Sequence, residues 1–153
     1  MRVAYWDTSC VLALYTPENI SSRVAKVAAT EKGPLHSSSI LEFEMTFALN
    51  AKEARGVIPK RSAAIIQERF QDDLKTGRFL LIPPGIDIKI RTKEIAFRLL
   101  KSKPPVFVRT LDGIHLATAL ELGKPELHTA DKKMAFAARL LGIKTNLFDK
   151  NDP

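Results

Sequence analysis

The stretch VAYWDTS, residues 3–9, sets an aspartate, Asp7, directly after a short apolar run. The run predicts a buried strand over residues 2–6. Thr8 and Ser9 are residue types that cap helices, so a helix is expected to begin at one of them. Open α/β sheets bind their ligands where a strand ends and the next helix begins. The stretch therefore predicts an α/β fold with a ligand site near Asp7.

Outward from this stretch, glycine and proline divide the chain into alternating helices and strands. Ser38 or Ser39 is expected to cap a long helix that ends at Arg55, and Pro59 to open the next helix. Helices are predicted over residues 20–30, 39–55, 59–75, 86–101, 110–122 and 132–141, and strands over residues 35–37, 79–82, 126–129 and 143–147. This alternation predicts a parallel sheet covered on both faces, in one domain over residues 1–153.

The chain is basic, with 24 lysines and arginines against 17 acids and a net charge of +7. Part of the excess is local, because residues 89–103 carry six cations and Glu94 as their one acid. Phosphate neutralisation dominates the affinity of proteins for nucleic acids. The charge distribution therefore favours a polyanionic partner.

The cysteine usage and hydropathy of the chain indicate a cytoplasmic protein. Cys10 is the single cysteine, so no internal disulfide is expected, and we interpret it as a small buried hydrophobe. No apolar run approaches the roughly 20 residues that cross a bilayer. Asp7 interrupts the first apolar run too early for a signal peptide. No contact with a membrane is expected.

Four acidic residues lie in otherwise apolar surroundings. Asp7 and Asp131 follow predicted strands, while Glu44 and Asp112 are embedded in predicted helices. An unpaired carboxylate in such a setting is costly, so the four must be neutralised together. Magnesium takes carboxylate oxygens as ligands, and a bound ion can activate water for attack on a phosphodiester. The pattern predicts a Mg²⁺ or Mn²⁺ enzyme.

Each acid also has a purely structural interpretation. Asp7, Asp112 and Asp131 all stand where a carboxylate could cap a helix or complement its dipole. Glu44 could form a salt bridge at the surface. Glu42 lies about 200° away from Glu44 around the same helix, so only one of them can face a common site. The apolar residues that continue the helix after Glu44 favour Glu44.

The sequence carries no motif for a rival chemistry. Neither a GxxxxGK[ST] nor a GxGxxG loop is present, and the three histidines show no paired metal spacing. His115, one turn after Asp112, is interpreted as a hydrogen-bonded packing residue. Trp6 and Tyr5 are interpreted as core residues. Phosphoryl transfer through an aspartate is disfavoured, because no second acid accompanies Asp7.

Taken together, these motifs resemble those of PIN-domain ribonucleases, and specifically the VapC-type toxins of toxin–antitoxin pairs. The resemblance covers essentially the whole chain. It is carried by WDTS at residues 6–9, the helix with Glu44, LDGIHLATA at residues 111–119, and TADK at residues 129–132. The run at residues 111–119 is the most specific of the four.

The resemblance implies a three-layer α/β/α fold around a five-stranded parallel sheet. It also implies a cognate antitoxin and a homodimer. The implied Mg²⁺ or Mn²⁺ ligands are Asp7, Glu44, Asp112 and Asp131, and the implied assisting hydroxyls belong to Ser9 and Thr129. Family members often carry Asn in place of Ser9, and some carry an acid after the last aspartate, where this chain has Lys132.

The leading hypothesis is an endoribonuclease in which the acids hold the ion and a carboxylate helps to deprotonate the attacking water. Lys52, Arg55 and Arg109 are candidate contacts to the RNA backbone, and Arg109 could equally form a surface salt bridge. The alternative is a PIN-like protein that binds RNA or an antitoxin without cleaving.

Overall fold

Short strands alternate with helices in the computed structural model, which describes residues 3–123 and 125–152. The strands are β1 (Ala4–Trp6), β2 (Leu35–Ser38), β3 (Phe79–Ile82), β4 (Glu126–Thr129) and β5 (Lys144–Leu147). The helices are α1 (Thr8–Tyr15), α2 (Ser21–Ala28), α3 (Ile40–Ala54), α4 (Ser62–Lys75), α5 (Ile86–Leu100), α6 (Thr110–Glu121) and α7 (Lys132–Leu140). None of these helices is long and apolar enough to cross a membrane.

The five strands form one sheet in the order β3-β2-β1-β4-β5, and every pair of neighbours is parallel. The central strand β1 pairs with β2 on one side and with β4 on the other, with Tyr5 opposite both His36 and Leu127. Parallel strands need a crossover between them, and the helices supply it. The predicted three-layer α/β/α fold with a five-stranded parallel sheet is confirmed.

Successive side chains of β1 point to opposite faces of the sheet and enter two separate cores. Trp6 packs among residues of α1 to α4, whereas Tyr5 packs among residues of α5 to α7. Both rings are fully buried, as predicted, and Cys10 is buried beside Trp6. The sheet is therefore covered on both faces, which leaves its ends as the places where ligands can approach.

Two helix starts differ from the sequence prediction. Helix α1 is capped by Asp7 rather than by Thr8 or Ser9, because the extended backbone of Asp7 lets its carboxylate accept from the Cys10 N–H. Helix α4 begins at Ser62 rather than at Pro59, because Arg61 has a φ of 66° and interrupts the turn. Arg2, predicted in the first strand, lies outside the described residues.

His128 on β4 gives the fold a predicted acid sensitivity. Its ring is buried at 4.3 Å from the Trp6 ring, and burial lowers its pKa from 6.5 to about 4. In the unfolded chain His128 therefore binds a proton below pH 6.5, whereas in the folded protein its buried ring binds one only below about pH 4. Stability is expected to fall across that window by on the order of 2–3 kcal/mol through this residue.

The check is denaturant unfolding of the parent and of His128→Phe at pH 7, 5.5 and 4.5. Phenylalanine keeps a ring against Trp6 and cannot be protonated, so its stability should decline less between pH 7 and 4.5. Equal declines for the two proteins would show that His128 is not the source of the acid sensitivity.

Candidate active site

The four acids lie at the carboxyl edge of the sheet, each at or near the start of a helix. Asp7 follows β1 and caps α1, and Asp131 follows β4 and caps α7. Asp112 lies in the first turn of α6, and Glu44 lies one turn into α3. Helix N-termini stabilise negative charge. The fold itself therefore offsets part of the repulsion among these carboxylates.

Asp7 is the most enclosed of the four, with 2% of its surface exposed. Its Oδ1 accepts hydrogen bonds from Ser9 Oγ at 2.6 Å and from the Cys10 N–H at 3.1 Å. Its Oδ2 accepts a hydrogen bond from Thr129 Oγ1. Burial raises the pKa of Asp7, and the bonds from Ser9 and Thr129 offset part of that rise. The carboxylate is held in one orientation by three donors.

The same two hydroxyls tie Asp7 to the loop that carries Asp131. Ser9 Oγ accepts from the Ala130 N–H at 2.9 Å, and Thr129 Oγ1 accepts from the Asp131 N–H at 3.0 Å. Asp131 Oδ1 in turn accepts from the first N–H groups of α7. Two distant acids are thereby fixed in one hydrogen-bonded frame.

Glu44 is held by a chain of buried side chains that reaches the far face of the sheet. Glu44 Oε1 lies 2.7 Å from Thr8 Oγ1 and 2.5 Å from His115 Nε2. His115 Nδ1 lies 2.7 Å from the Tyr5 hydroxyl, which accepts from the Ser38 N–H. Because an ionised carboxylate can only accept, His115 donates to Glu44 from Nε2, and the Tyr5 hydroxyl is the hydrogen-bond partner of Nδ1.

Burial alone would raise the pKa of Glu44. The hydrogen bond and charge of His115 and the hydrogen bond from Thr8 outweigh burial, and the pKa of Glu44 is lowered. Both bonds fall on Oε1, which leaves Oε2 without a hydrogen bond to the described residues. Glu44 is thus an ionised carboxylate held in one orientation, and its Oε2 is available to bind a ligand.

Arg109 acts as the counter-ion of the remaining acids. Its guanidinium donates to Asp112 Oδ2 at 2.9 Å and lies 3.9 Å from Asp131 Oδ2. The hydrogen bond to Asp112 raises the pKa of Arg109, and the charges of Asp131 and Glu44 act in the same direction. One guanidinium therefore neutralises three of the four carboxylates in part.

The comparisons with known proteins agree with this architecture. The PIN domain family matches residues 4–140, which is most of the chain. The chain belongs to the PIN-domain family. Proteins of this family are generally nucleases that act on phosphodiester bonds, and they typically use a divalent metal.

A solved structure gives the PIN domain a structural neighbour. VapBC2 from Rickettsia felis, bound to a DNA fragment from its promoter, matches with a TM-score of 0.66 over 96% of this chain and 99% of the other. The sequence identity is 13%, so the likeness is one of fold. No curated protein matches the sequence.

The four acids of the PIN domain are of the chemical kind that binds a hard divalent ion, because carboxylate oxygens are what Mg²⁺ and Mn²⁺ bind. In residues 3–123 and 125–152, however, no three such side chains stand close enough to hold a metal. The guanidinium of Arg109 supplies positive charge beside Asp112 and Asp131 instead. Its side chain is 81% exposed, so it can move away without disturbing the core.

The remaining predicted site residues divide into two groups. Ser9 and Thr129 lie in the site and bind Asp7. Lys52 is paired with Glu18 at 3.1 Å and is mostly enclosed, so it is not free to bind a phosphate. Arg55 follows the last turn of α3, about 16 Å along the helix from Glu44. Of the three basic residues expected to bind RNA, only Arg109 therefore lies beside the acids.

Two residues of the site were missed from the sequence. Thr8 was considered as a helix cap but binds Glu44, and Tyr5 was interpreted as core packing but orients His115. The sequence signal for Thr8 was its position directly after Asp7, where a helix start points its side chain at the edge of the sheet. A fully buried tyrosine needs a partner for its hydroxyl, which was the available signal for Tyr5.

Proposed function

We propose that this PIN domain is a divalent-metal-dependent endoribonuclease of the cytoplasm. The observation that carries the proposal is the match to the PIN domain family over residues 4–140. It is supported by the pairing of Arg109 with Asp112, 3.9 Å from Asp131, at the carboxyl edge of the sheet. A bound divalent ion supplies neutralising charge and a more acidic water to such a site.

The residues of the chain would share the work with that ion. Asp7, Asp112 and Asp131 would bind it, with Asp7 kept in place by Ser9 and Thr129. Glu44, ionised and fixed through Oε1, would bind the ion or take the proton of the attacking water. Arg109, once released from Asp112, would face the phosphate of the substrate.

We also propose that the protein is the toxin of a toxin–antitoxin pair and forms a homodimer. The support is the fold it shares with VapBC2. A second support is the pair Phe43 and Phe47, one turn apart on α3, which are 69% and 76% exposed. Exposed apolar patches of this kind mark protein interfaces, and an antitoxin would cover such a surface.

The test is cleavage of a single-stranded RNA by the parent and by Asp112→Asn, with Mg²⁺, with Mn²⁺ and with EDTA. The substitution removes the charge of one proposed ligand and breaks an ion pair whose Arg109 partner is exposed, so folding should be preserved and cleavage should fall roughly 100-fold or more. Asp72→Asn is the matched control, because Asp72 forms an exposed ion pair with Lys75 at the same spacing of three residues. It should cleave like the parent.

Expression in a bacterial host without the antitoxin gives the second readout for the same variant. Growth should slow with the parent and not with Asp112→Asn. Full metal-dependent cleavage by Asp112→Asn would contradict the assignment of the site. Normal growth with a parent that cleaves RNA would remove the toxin role alone.

A second candidate is a PIN domain that binds RNA or an antitoxin without cleaving. It is favoured by one observation, the Arg109 bridge in a site where the described residues show no group of three metal ligands. RNA binding by the parent, without cleavage under any of the three conditions, would establish this candidate.

A further inference from the structure

The segment that leads into α6 presents an aromatic ring beside the acids. Residues 105–109 form neither helix nor strand, and their side chains alternate. Val106 and Val108 pack against the core under α5 and α6, whereas Phe107 and Arg109 are exposed. In an extended segment alternate side chains share a side. The two anchored valines therefore hold Phe107 and Arg109 on the same, outer side.

Phe107 is 79% exposed, and a single exposed apolar residue is ordinary in itself. What sets Phe107 apart is its position beside two of the acids. It lines a cleft of about 400 Å³ whose other walls include Asp112 and Asp131. The ring is thus placed next to the acids at which the proposed reaction occurs.

The cleft is also lined by three cations. Arg109 is paired with Asp112, and Lys132 is paired with Asp149 at 2.7 Å. Lys133 is exposed and forms no ion pair within residues 3–123 and 125–152. Lys132 and Lys133 occupy the first turn of α7, where the helix dipole disfavours positive charge. Asp149 offsets the charge of Lys132, whereas Lys133 has no anionic partner among the residues that the structure describes and can face an anionic ligand.

We propose that this cleft binds one nucleotide of single-stranded RNA, with its base stacked on Phe107 and its phosphate facing Lys133. Base-to-aromatic stacking with nearby cations is how proteins hold single strands, because an unpaired base can turn its face to a ring. The proposal rests on the proposed function and adds where the nucleotide beside the cut bond is held.

Affinities are measured in EDTA, where the proposed function predicts no cleavage, by fluorescence anisotropy with a short single-stranded RNA. A second RNA series carries one abasic nucleotide at each successive position. Phe107→Ala should weaken binding of the intact RNA on the order of tenfold or more. The abasic RNA that lacks the base stacked on Phe107 should bind the parent as weakly as the intact RNA binds Phe107→Ala. Phe107→Ala should bind the intact RNA and that abasic RNA with equal affinity.

Three further variants separate stacking from other effects. Phe107→Trp keeps an aromatic face and should bind like the parent, whereas Phe107→Leu should lose most of the affinity. Phe97→Ala removes another exposed phenylalanine, 58% exposed on α5 and outside the cleft, and should change nothing. Lys133→Gln should weaken intact and abasic RNA equally and reduce the dependence of affinity on salt.

Parent-like affinity of Phe107→Ala, in a protein that cleaves RNA, would overturn the stacking site and leave the proposed function standing. A parent that neither binds nor cleaves RNA would overturn both. Thermal unfolding of each variant should match the parent, because the substituted side chains are exposed.

Discussion

Asp7→Asn is expected to be more stable than the parent in EDTA and yet to lose cleavage of RNA with Mg²⁺ or Mn²⁺. The two effects have one cause. Burial raises the pKa of Asp7, so its ionised carboxylate is a cost to the metal-free fold. The same charge is what would bind the ion. Residues that serve function commonly lower the stability of the fold in this way.

The gain in stability is expected to be on the order of 1–2 kcal/mol. Asparagine is nearly the same shape and keeps an oxygen for the Cys10 N–H, and its amide can donate to Thr129 Oγ1. Asp7→Ala is the matched control, because it leaves the donors from Ser9, Cys10 and Thr129 without an acceptor. It should be less stable than the parent by about 1–3 kcal/mol.

The loss of cleavage by Asp7→Asn is expected to be a factor on the order of 10² or more, because a neutral amide binds a hard ion poorly. Urea unfolding in EDTA gives the first quantity, and single-turnover cleavage gives the second. An asparagine variant no more stable than the parent would show that the hydrogen bonds fully compensate for burial. Undiminished cleavage would remove Asp7 from the ligand set.

His115→Ala is expected to have the second largest effect, on stability first and on metal binding second. His115 is 1% exposed, and its removal leaves a cavity and takes a hydrogen-bond partner from the buried Tyr5 hydroxyl. The expected loss is on the order of 3 kcal/mol in urea unfolding. Glu44 also loses one of its two donors, so Mn²⁺ affinity should fall roughly tenfold or more.

His115→Gln and Tyr5→Phe separate orientation from packing. Glutamine can accept from Tyr5 with its oxygen and donate to Glu44 with its nitrogen, so it should restore much of the Mn²⁺ affinity. Phenylalanine at position 5 preserves the core but removes the hydroxyl that fixes the His115 ring through Nδ1, so the donor to Glu44 is held less firmly. Mn²⁺ affinity should therefore fall although Tyr5 does not touch Glu44. If His115→Ala bound Mn²⁺ like the parent, the chain from Tyr5 would be structural only.

Local signals determined how well the fold could be predicted. Strands β3 and β4 have the predicted bounds, because glycine or proline lies close beside each of them. The predicted start of α4 was wrong, because Arg61 has a left-handed backbone and an arginine in the sequence does not indicate that conformation. The parallel order of the sheet followed from the alternation of helices and strands.

The site could be predicted only in part, because its geometry depends on contacts between distant residues. Asp7 and Asp131 were expected at one edge, since each follows a strand of a parallel sheet. The bond from His115 to Glu44 joins residues 71 positions apart, and no local pattern encodes it. The pairing of Arg109 with Asp112 was one of two alternatives, because a side chain this long can reach either a neighbouring acid or a substrate phosphate.

The strand order has a consequence for the timing of synthesis. Strand β1 is made first, but its place in the sheet is completed only when β4 arrives beside it. Until then a nascent chain carries Asp7 without Thr129 or Asp131, so the proposed site is incomplete. Under the proposed ribonuclease function, the chain would therefore gain activity only after most of its own message has been translated.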